Sequence, residues 1–379
     1  MSSTAAGTSA VAPDQQRFAA LDGLRGWAAL SVVIYHCLWQ TFGVRFPELH
    51  NFITALLGNG ILAVAIFLTI SGYVLTRRRW RNPHNPPLLV AAVRRYVRLT
   101  IPIIAATALV FVLMAFELTP TRPAHEVTGV RAWYNTFVRF EPGVLDAISF
   151  AFAWTYTWPV AHNYNPFLWT MLAELWGCWV LFALSQNDRY LREPYSPLLL
   201  LTVLTLLMFP LGACFGAGAL IALAERDGAL PASSTPLLSF VASCGLLALL
   251  AVAAFTQLLD GGNRFLAVLG TATFLAVRYS LPAQRFLNTG ISQFLGHISF
   301  PLYLVQFAVI VSHSANLIVW VHTAAALTTS TALLIAAGSV VASLVLATLF
   351  LPIELGTLAL LRRFNARRVP RVSVAARAV

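Results

Sequence analysis

The sequence predicts an all-α polytopic membrane protein with about ten transmembrane helices and both termini on the cytoplasmic side. Three observations carry this. Of 379 residues, 58% are hydrophobic and only 10% are charged, whereas an ordinary soluble domain is about a quarter charged. The mean hydropathy is +0.75. The apolar residues gather in runs near the roughly 20 residues that a membrane helix needs, and arginines fall between the runs.

Taken in order, the spans are 20–42, 52–76, 99–118, 166–185, 196–210, 211–225, 236–258, 264–280, 290–312 and 325–350. The stretch from Val144 to Trp158 is apolar but short and aromatic, with Trp154, Tyr156 and Trp158, so it reads as a re-entrant or interfacial helix. Counting it as a span would invert everything after it. Arginine placement supports ten, because positively charged loops favour the cytoplasm. No lysine occurs, and 20 of the 25 arginines fall on the inner side; Arg45, Arg122, Arg131, Arg139 and Arg264 are left outside. The Ser-, Ala- and Thr-rich segment 1–16 is expected to be a disordered tail, 17–361 a single transmembrane domain, and 362–379 a basic cytoplasmic tail.

Charge and cysteine usage exclude some functions. A net charge of +11 fits orientation in a bilayer better than nucleic-acid binding, because the arginines sit between apolar spans. Cys37, Cys178, Cys214 and Cys244 lack the paired spacing of a disulfide framework or a zinc site. Packing explains them, and no metal is expected. The longest external connection, 119–165, carries His125, Glu126, Trp133, Tyr134, Glu141, Asp146 and His162, a mixture suited to sugars or simply a solvated loop.

Within the first span, Arg25 and His36 are eleven residues apart. At about 100° and 1.5 Å per residue this is three turns plus roughly 20°, and a rise of about 16 Å. Both therefore lie on one face, and an ionisable pair on one stripe of a membrane-length segment points toward a polar interior. On these residues alone, an enzyme and a transporter or flippase for a glycan or lipid precursor are both open.

The text around the pair, Leu21-Asp22-Gly23-Leu24-Arg25-Gly26 followed by His36, resembles the first helix of the acyltransferase 3 family, integral membrane enzymes that move acyl groups onto cell-surface glycans and related acceptors. Further matches are spread along the chain. Phe67-Leu-Thr-Ile-Ser71-Gly72-Tyr73 is similar to the family's Phe-x-x-Ser-Gly-Phe segment, with Ser71 offering a hydroxyl and Gly72 a close helix approach. Arg94-Arg95-Tyr96-Val97-Arg98 through Pro102 resembles its Arg-Arg-x-x-Arg-x-x-Pro. With Arg77, Arg78, Arg79 and Arg81, seven arginines fall in about 22 residues without an acidic side chain. Guanidinium groups bind phosphates bidentately, so the resemblance assigns Arg77, Arg94, Arg95 and Arg98, with Ser71, to a coenzyme A donor.

Trp169-Thr170-Met171-Leu172-Ala173-Glu174 resembles Trp-Ser-Leu-x-x-Glu, with Thr170 for Ser and one extra residue before the acid. Glu174 is expected either to pair with a core arginine or to assist proton transfer. Leu295-Gly296 through Ser299, Tyr303 and Gln306 is similar to Leu-Gly-x-x-Ser-Tyr-x-x-Tyr-Leu-x-His, with Gln306 where the family has histidine. Glutamine hydrogen-bonds but is no base, and His297, His313 and His322 read as structural or loop residues. The resemblance thus implies a membrane O-acyltransferase using acetyl-CoA or another acyl-CoA. His36 is its general base or acyl-accepting nucleophile, Asp22 holds Arg25, and Trp169, Tyr303 and Gln306 contact substrate. The expected partners are the lipid bilayer and a glycan, glycolipid or small-molecule acceptor, and the expected location is a bacterial inner membrane.

Overall fold

The structure is a computed structural model, and it describes residues 13–81, 86–157, 162–186 and 195–366. Every regular element among them is a helix. The expectation for the N-terminal tail lies outside the described residues except at 13–16, which already belong to the first helix. The C-terminal tail is helical as far as Ala366 and otherwise falls outside them, as do Trp158, Arg189, Arg192 and the side chain of Arg81.

The chain forms two compact units, one of residues up to Arg78 with 193–300, the other of 79–192 with 301 onward. The boundaries fall inside two helices, Gly60–Arg81 (α3) and Gly290–Val309 (α13). In chain order the first unit begins with α1 (Pro13–Ile34), which passes directly into a π-helical turn, Tyr35–Gln40. A short α2 (Phe52–Leu57) precedes α3; Asn51 caps it through a reciprocal pair of bonds with Thr54. The second run of the sequence is therefore two helices separated by Gly58 and Asn59. Asn59 is buried at the break, its side chain accepting from the Leu62 amide of α3 at 3.0 Å and donating to the Ala253 carbonyl, in the helix Pro236–Leu258, at 2.9 Å.

The rest of this unit is α8 (Tyr195–Met208), α9 (Pro210–Arg226), α10 (Pro236–Leu258), α11 (Asn263–Tyr279), α12 (Leu281–Leu287) and the first half of α13. α11 and α12 meet at 92°, where Pro282 follows Leu281 and disfavours a continuous helix. α8 and α9, with 14 and 17 residues, are about 21 and 26 Å long, each short of a hydrocarbon core of about 30 Å. They pack against each other across the single residue Phe209.

The second unit holds α4 (Leu88–Ala115), α5 (Thr121–Thr128), α6 (Val144–Phe152), α7 (Thr170–Gln186), the remainder of α13, α14 (Ala315–Ala324) and α15 (Thr329–Ala366). α4 packs against α6, α7 and α15. It starts eleven residues before the apolar run at 99, because Arg94, Arg95 and Arg98 occupy its early turns and not a loop. α6 has nine residues and leads into a 3-10 turn, Trp154–Tyr156, a length that suits the re-entrant or interfacial reading.

Among the described residues, six helices are long and apolar enough to cross a membrane, seven if the bent α11–α12 pair is one span. α10 shows why a bilayer is their solvent. It is apolar on all sides, yet Leu237, Phe240, Val241, Leu247 and Phe255 are exposed, an arrangement that lipid stabilises and water does not. The protein is an all-α polytopic membrane protein.

Candidate functional site

The first-helix motif is built around close backbone contact. Side chains on Gly23 and Gly26 would overlap the Leu287 carbonyl and the Leu295–Gly296 backbone, and one on Gly296 would overlap the Asp22 carbonyl. The glycines of the first and last motifs therefore face one another and let α1 lie directly on the start of α13. Trp27 secures the contact, donating from its indole N–H to Ser292 Oγ at 2.9 Å and packing on Phe286. Asp22 lies 3.5 Å from Arg25 Nη1, one turn earlier on the same helix.

From Arg25 the α-helix runs unbroken to Ile34, and His36 is the second residue of the π turn that Tyr35 opens. His36 is half-buried. Its Nδ1 is 2.7 Å from Gln40 Oε1, its backbone carbonyl accepts from Thr41 Oγ1 at 2.7 Å, and the Tyr35 ring meets it edge-on. Ser71 is buried in α3. Its neighbour Gly72 lies under the Phe215 carbonyl of α9, where a side chain would overlap. The Ser-Gly segment thus seats α3 on α9 in the same way that Gly26 seats α1 on α13.

The same unit contains a charge cluster whose members no motif links. Glu225, near the end of α9, accepts from Tyr73 Oη at 2.7 Å and from Arg77 Nη1 at 3.0 Å through one oxygen; its other oxygen lies 2.9 Å from Arg278 Nε. The three charged side chains are only 12%, 8% and 5% exposed. Arg278 also stacks on Tyr279 and reaches the Ala232 carbonyl. Arg77, assigned to a donor from its place in the arginine run, is held in this cluster. Glu225 and Arg278 lie at helix ends far away in sequence, and only their position at the ends of apolar runs could have flagged them.

In the other unit, Arg95 and Glu174 form an ion pair in which both side chains are nearly buried, at 10% and 13% exposed. Arg94 and Arg98 are half-buried on the same helix. Trp169 ends a 3-10 turn, Pro166–Trp169, that Asn165 caps while donating to the Leu304 carbonyl at 3.0 Å. Thr170, the next residue, is 2.6 Å from the Tyr303 hydroxyl, which also donates to the Phe167 carbonyl. Gln306 is fully buried one turn beyond Tyr303. Its Nε2 donates to the Tyr303 carbonyl at 3.1 Å, and its Oε1 has no hydrogen-bond partner among the described residues. The Trp169–Glu174 motif, with the Asn165 cap before it, and the Leu295–Gln306 motif thus converge on one buried polar row, Asn165, Thr170, Tyr303 and Gln306.

The sequence-predicted residues therefore divide. Asp22, Arg25, His36, Ser71 and Arg77 lie in the first unit; Arg94, Arg95, Arg98, Glu174, Trp169, Tyr303 and Gln306 lie in the second. Buried ionisable and hydrogen-bonding groups on helices of membrane length define a polytopic membrane protein with polar chemistry in its interior. The acyltransferase 3 family, described as an acyltransferase domain, matches residues 18–351. The chain belongs to that family and is a membrane acyltransferase. No curated protein and no solved structure matches it.

Proposed function

We propose that the protein moves an acyl group, acetyl in the first instance, from cytoplasmic acyl-coenzyme A to a hydroxyl of a cell-surface glycan, glycolipid or secreted metabolite, in a bacterial inner membrane. His36 takes the acceptor's proton or, as nucleophile, accepts the acyl group itself. The observation that carries this reading is the position of His36 in the π turn that continues the first helix, about three turns past Arg25, where neighbours hold its ring and its carbonyl.

Acyl transfer from a thioester requires a base for the acceptor hydroxyl, donors or positive charge for the developing oxyanion, and a grip on the donor. For the donor, charge favours the arginines of 77–98, since coenzyme A carries a 3′-phosphate and a pyrophosphate. Arg95 is neutralised by Glu174 and Arg77 by Glu225, so a phosphate on either competes with a carboxylate; Arg94 and Arg98 lie on the same helix as Arg95. Trp169, Tyr303 and Gln306 remain the substrate contacts; the Oε1 acceptor of Gln306 suits a hydroxyl or amide donor. With the donor on the inner side, the pantetheine arm can carry the thioester inward toward His36, and coenzyme A need not cross the membrane.

The test is transfer of labelled acetyl from acetyl-coenzyme A by purified protein in lipid, together with mass spectrometry of surface glycans and lipids from cells with and without it. Wild-type protein labels an acceptor and His36→Ala does not. Transfer that survives His36→Ala refutes the role of the imidazole.

A further inference from the structure

We infer that Gln40 is the positioning residue of the reaction: its side-chain oxygen holds the His36 ring with hydrogen on Nδ1, so that Nε2 carries the lone pair that meets the substrate. This rests on His36 being the reacting group. Three features of the first unit support it.

The first is the backbone. A 22-residue α-helix gives way, at Tyr35, to a single π turn of six residues that contains His36 and ends at Gln40. Such turns are rare in regular helices and recur at functional sites. Here the turn sets His36 and Gln40, four residues apart, at 2.7 Å between Nδ1 and Oε1.

The second is that the turn is braced from outside, so the pair is held and not incidental. Thr41 Oγ1 donates to the His36 carbonyl at 2.7 Å, and the Gly43 amide donates to the Trp39 carbonyl at 3.0 Å. His50 stacks on Trp39 with ring centroids 4.0 Å apart, and its Nε2 is 3.1 Å from the same Trp39 carbonyl. Gly43 leaves the room that His50 fills; a side chain there would overlap the His50 ring.

The third is the chemistry of the two groups. An amide oxygen only accepts, so the Nδ1 facing it carries the hydrogen of a neutral imidazole, and Nε2 is then the basic nitrogen. A base oriented by a third group is the general logic of activated acyl-transfer sites. As base, Nε2 takes the acceptor's O–H proton while the acceptor oxygen bonds to the thioester carbonyl carbon. The C–S bond then breaks, and the proton passes from Nε2 to the departing thiolate. Throughout, Nδ1–H stays on Gln40, whose oxygen takes up part of the charge on the transient imidazolium.

The experiment compares Gln40→Leu, Gln40→Glu and His36→Ala in lipid, reading kcat and the acetyl-coenzyme A KM separately. Leucine removes the acceptor oxygen, and kcat falls by about tenfold or more, the scale expected for a misaligned base. The donor KM stays at the wild-type value. Glutamate keeps an acceptor oxygen at the same reach and restores kcat toward wild type. Wild-type kcat in Gln40→Leu with inactive His36→Ala overturns the role of Gln40 alone. Loss of kcat in both Gln40 variants overturns it too, because the acceptor oxygen is then not what matters. Activity in His36→Ala overturns the underlying reading and this inference together.

Discussion

Replacing Arg95 and Glu174 by methionine, singly and together, separates the two roles open to the carboxylate. Both side chains are nearly buried, and they neutralise each other in the second unit. Removing one partner leaves a buried, uncompensated charge. Such losses cost about 3–5 kcal/mol, which at about 1.4 kcal/mol per factor of ten is on the order of a thousandfold in the folded-to-unfolded ratio. Methionine matches glutamate in length and replaces the aliphatic stem of arginine, and replacing the whole pair removes both the charge and the need to balance it. The double variant is therefore expected to regain much of the loss, with a coupling energy of about 2–3 kcal/mol. The measurement is denaturant unfolding in detergent micelles followed by tryptophan fluorescence, with acyl transfer assayed on the folded fraction. A pair whose task is to hold α4 on α7 gives a double variant both more stable and more active than either single one. Additive destabilisation would refute the coupling, and a stable double variant with no turnover would show that Glu174 handles protons.

Two further outcomes follow from the packing. Gly26→Val places a branched side chain against the Leu295–Gly296 backbone; overpacking of this kind costs about 1–3 kcal/mol or more, so the yield of folded protein falls in size-exclusion chromatography, while a valine at exposed Gly290 does not lower it. Glu225→Ala leaves Arg77 and Arg278 without their shared carboxylate and is expected to lower thermal stability by about as much as losing Glu174, whereas Glu225→Gln, which also removes the charge but keeps an oxygen for Tyr73 and Arg77, loses less; equal melting curves for the two variants would show that the retained oxygen contributes nothing and that the charge alone matters.

What was legible in the sequence is what depends on local pattern. The ends of α10 at 236 and 258 were readable because the apolar run stops there. The break near Pro210 and the bend before Pro282 follow from proline. The continuous helix from Gly290 to Ala324 is longer than its sequence span of 290–312, because membrane length closes that span although the apolar text runs on through the π turn Ile310–Ser314. Likewise Arg94, Arg95 and Arg98 looked like a loop because charge reads as solvent; their helix begins earlier because a helix end can carry charges beyond the apolar core. Within the site, the motif glycines showed that backbones approach, but not which. Gly26 meets Gly296 and Gly72 meets Phe215 across sequence distances that no periodicity encodes. Gln40 was readable in principle, four residues past His36, and was missed because an α-helical i,i+4 contact is the ordinary case and the π turn is not visible in composition.

The acids on these motifs narrow the chemistry. Asp22 lies against Arg25, Glu174 against Arg95, and Glu225 against both Arg77 and Arg278. Where the pair is buried, a carboxylate that neutralises a guanidinium cannot take up a proton without stranding that charge in a low-dielectric interior. That restraint is strongest for Glu225, which answers two arginines at once, and strong for Glu174. It is weakest for Asp22, whose side chain is 58% exposed and whose partner therefore keeps access to solvent. Gln306, in the position where histidine is expected, has no proton to exchange near neutral pH. In the proposed reaction an imidazole has no such obligation: it begins neutral, gains a charge only as the acceptor loses its proton, and returns that proton to the leaving thiolate. On that proposal His36 is the motif residue on which both halves of the exchange fall, and the Gln40 oxygen, 2.7 Å from its Nδ1, would stabilise the charged half without adding a charge of its own.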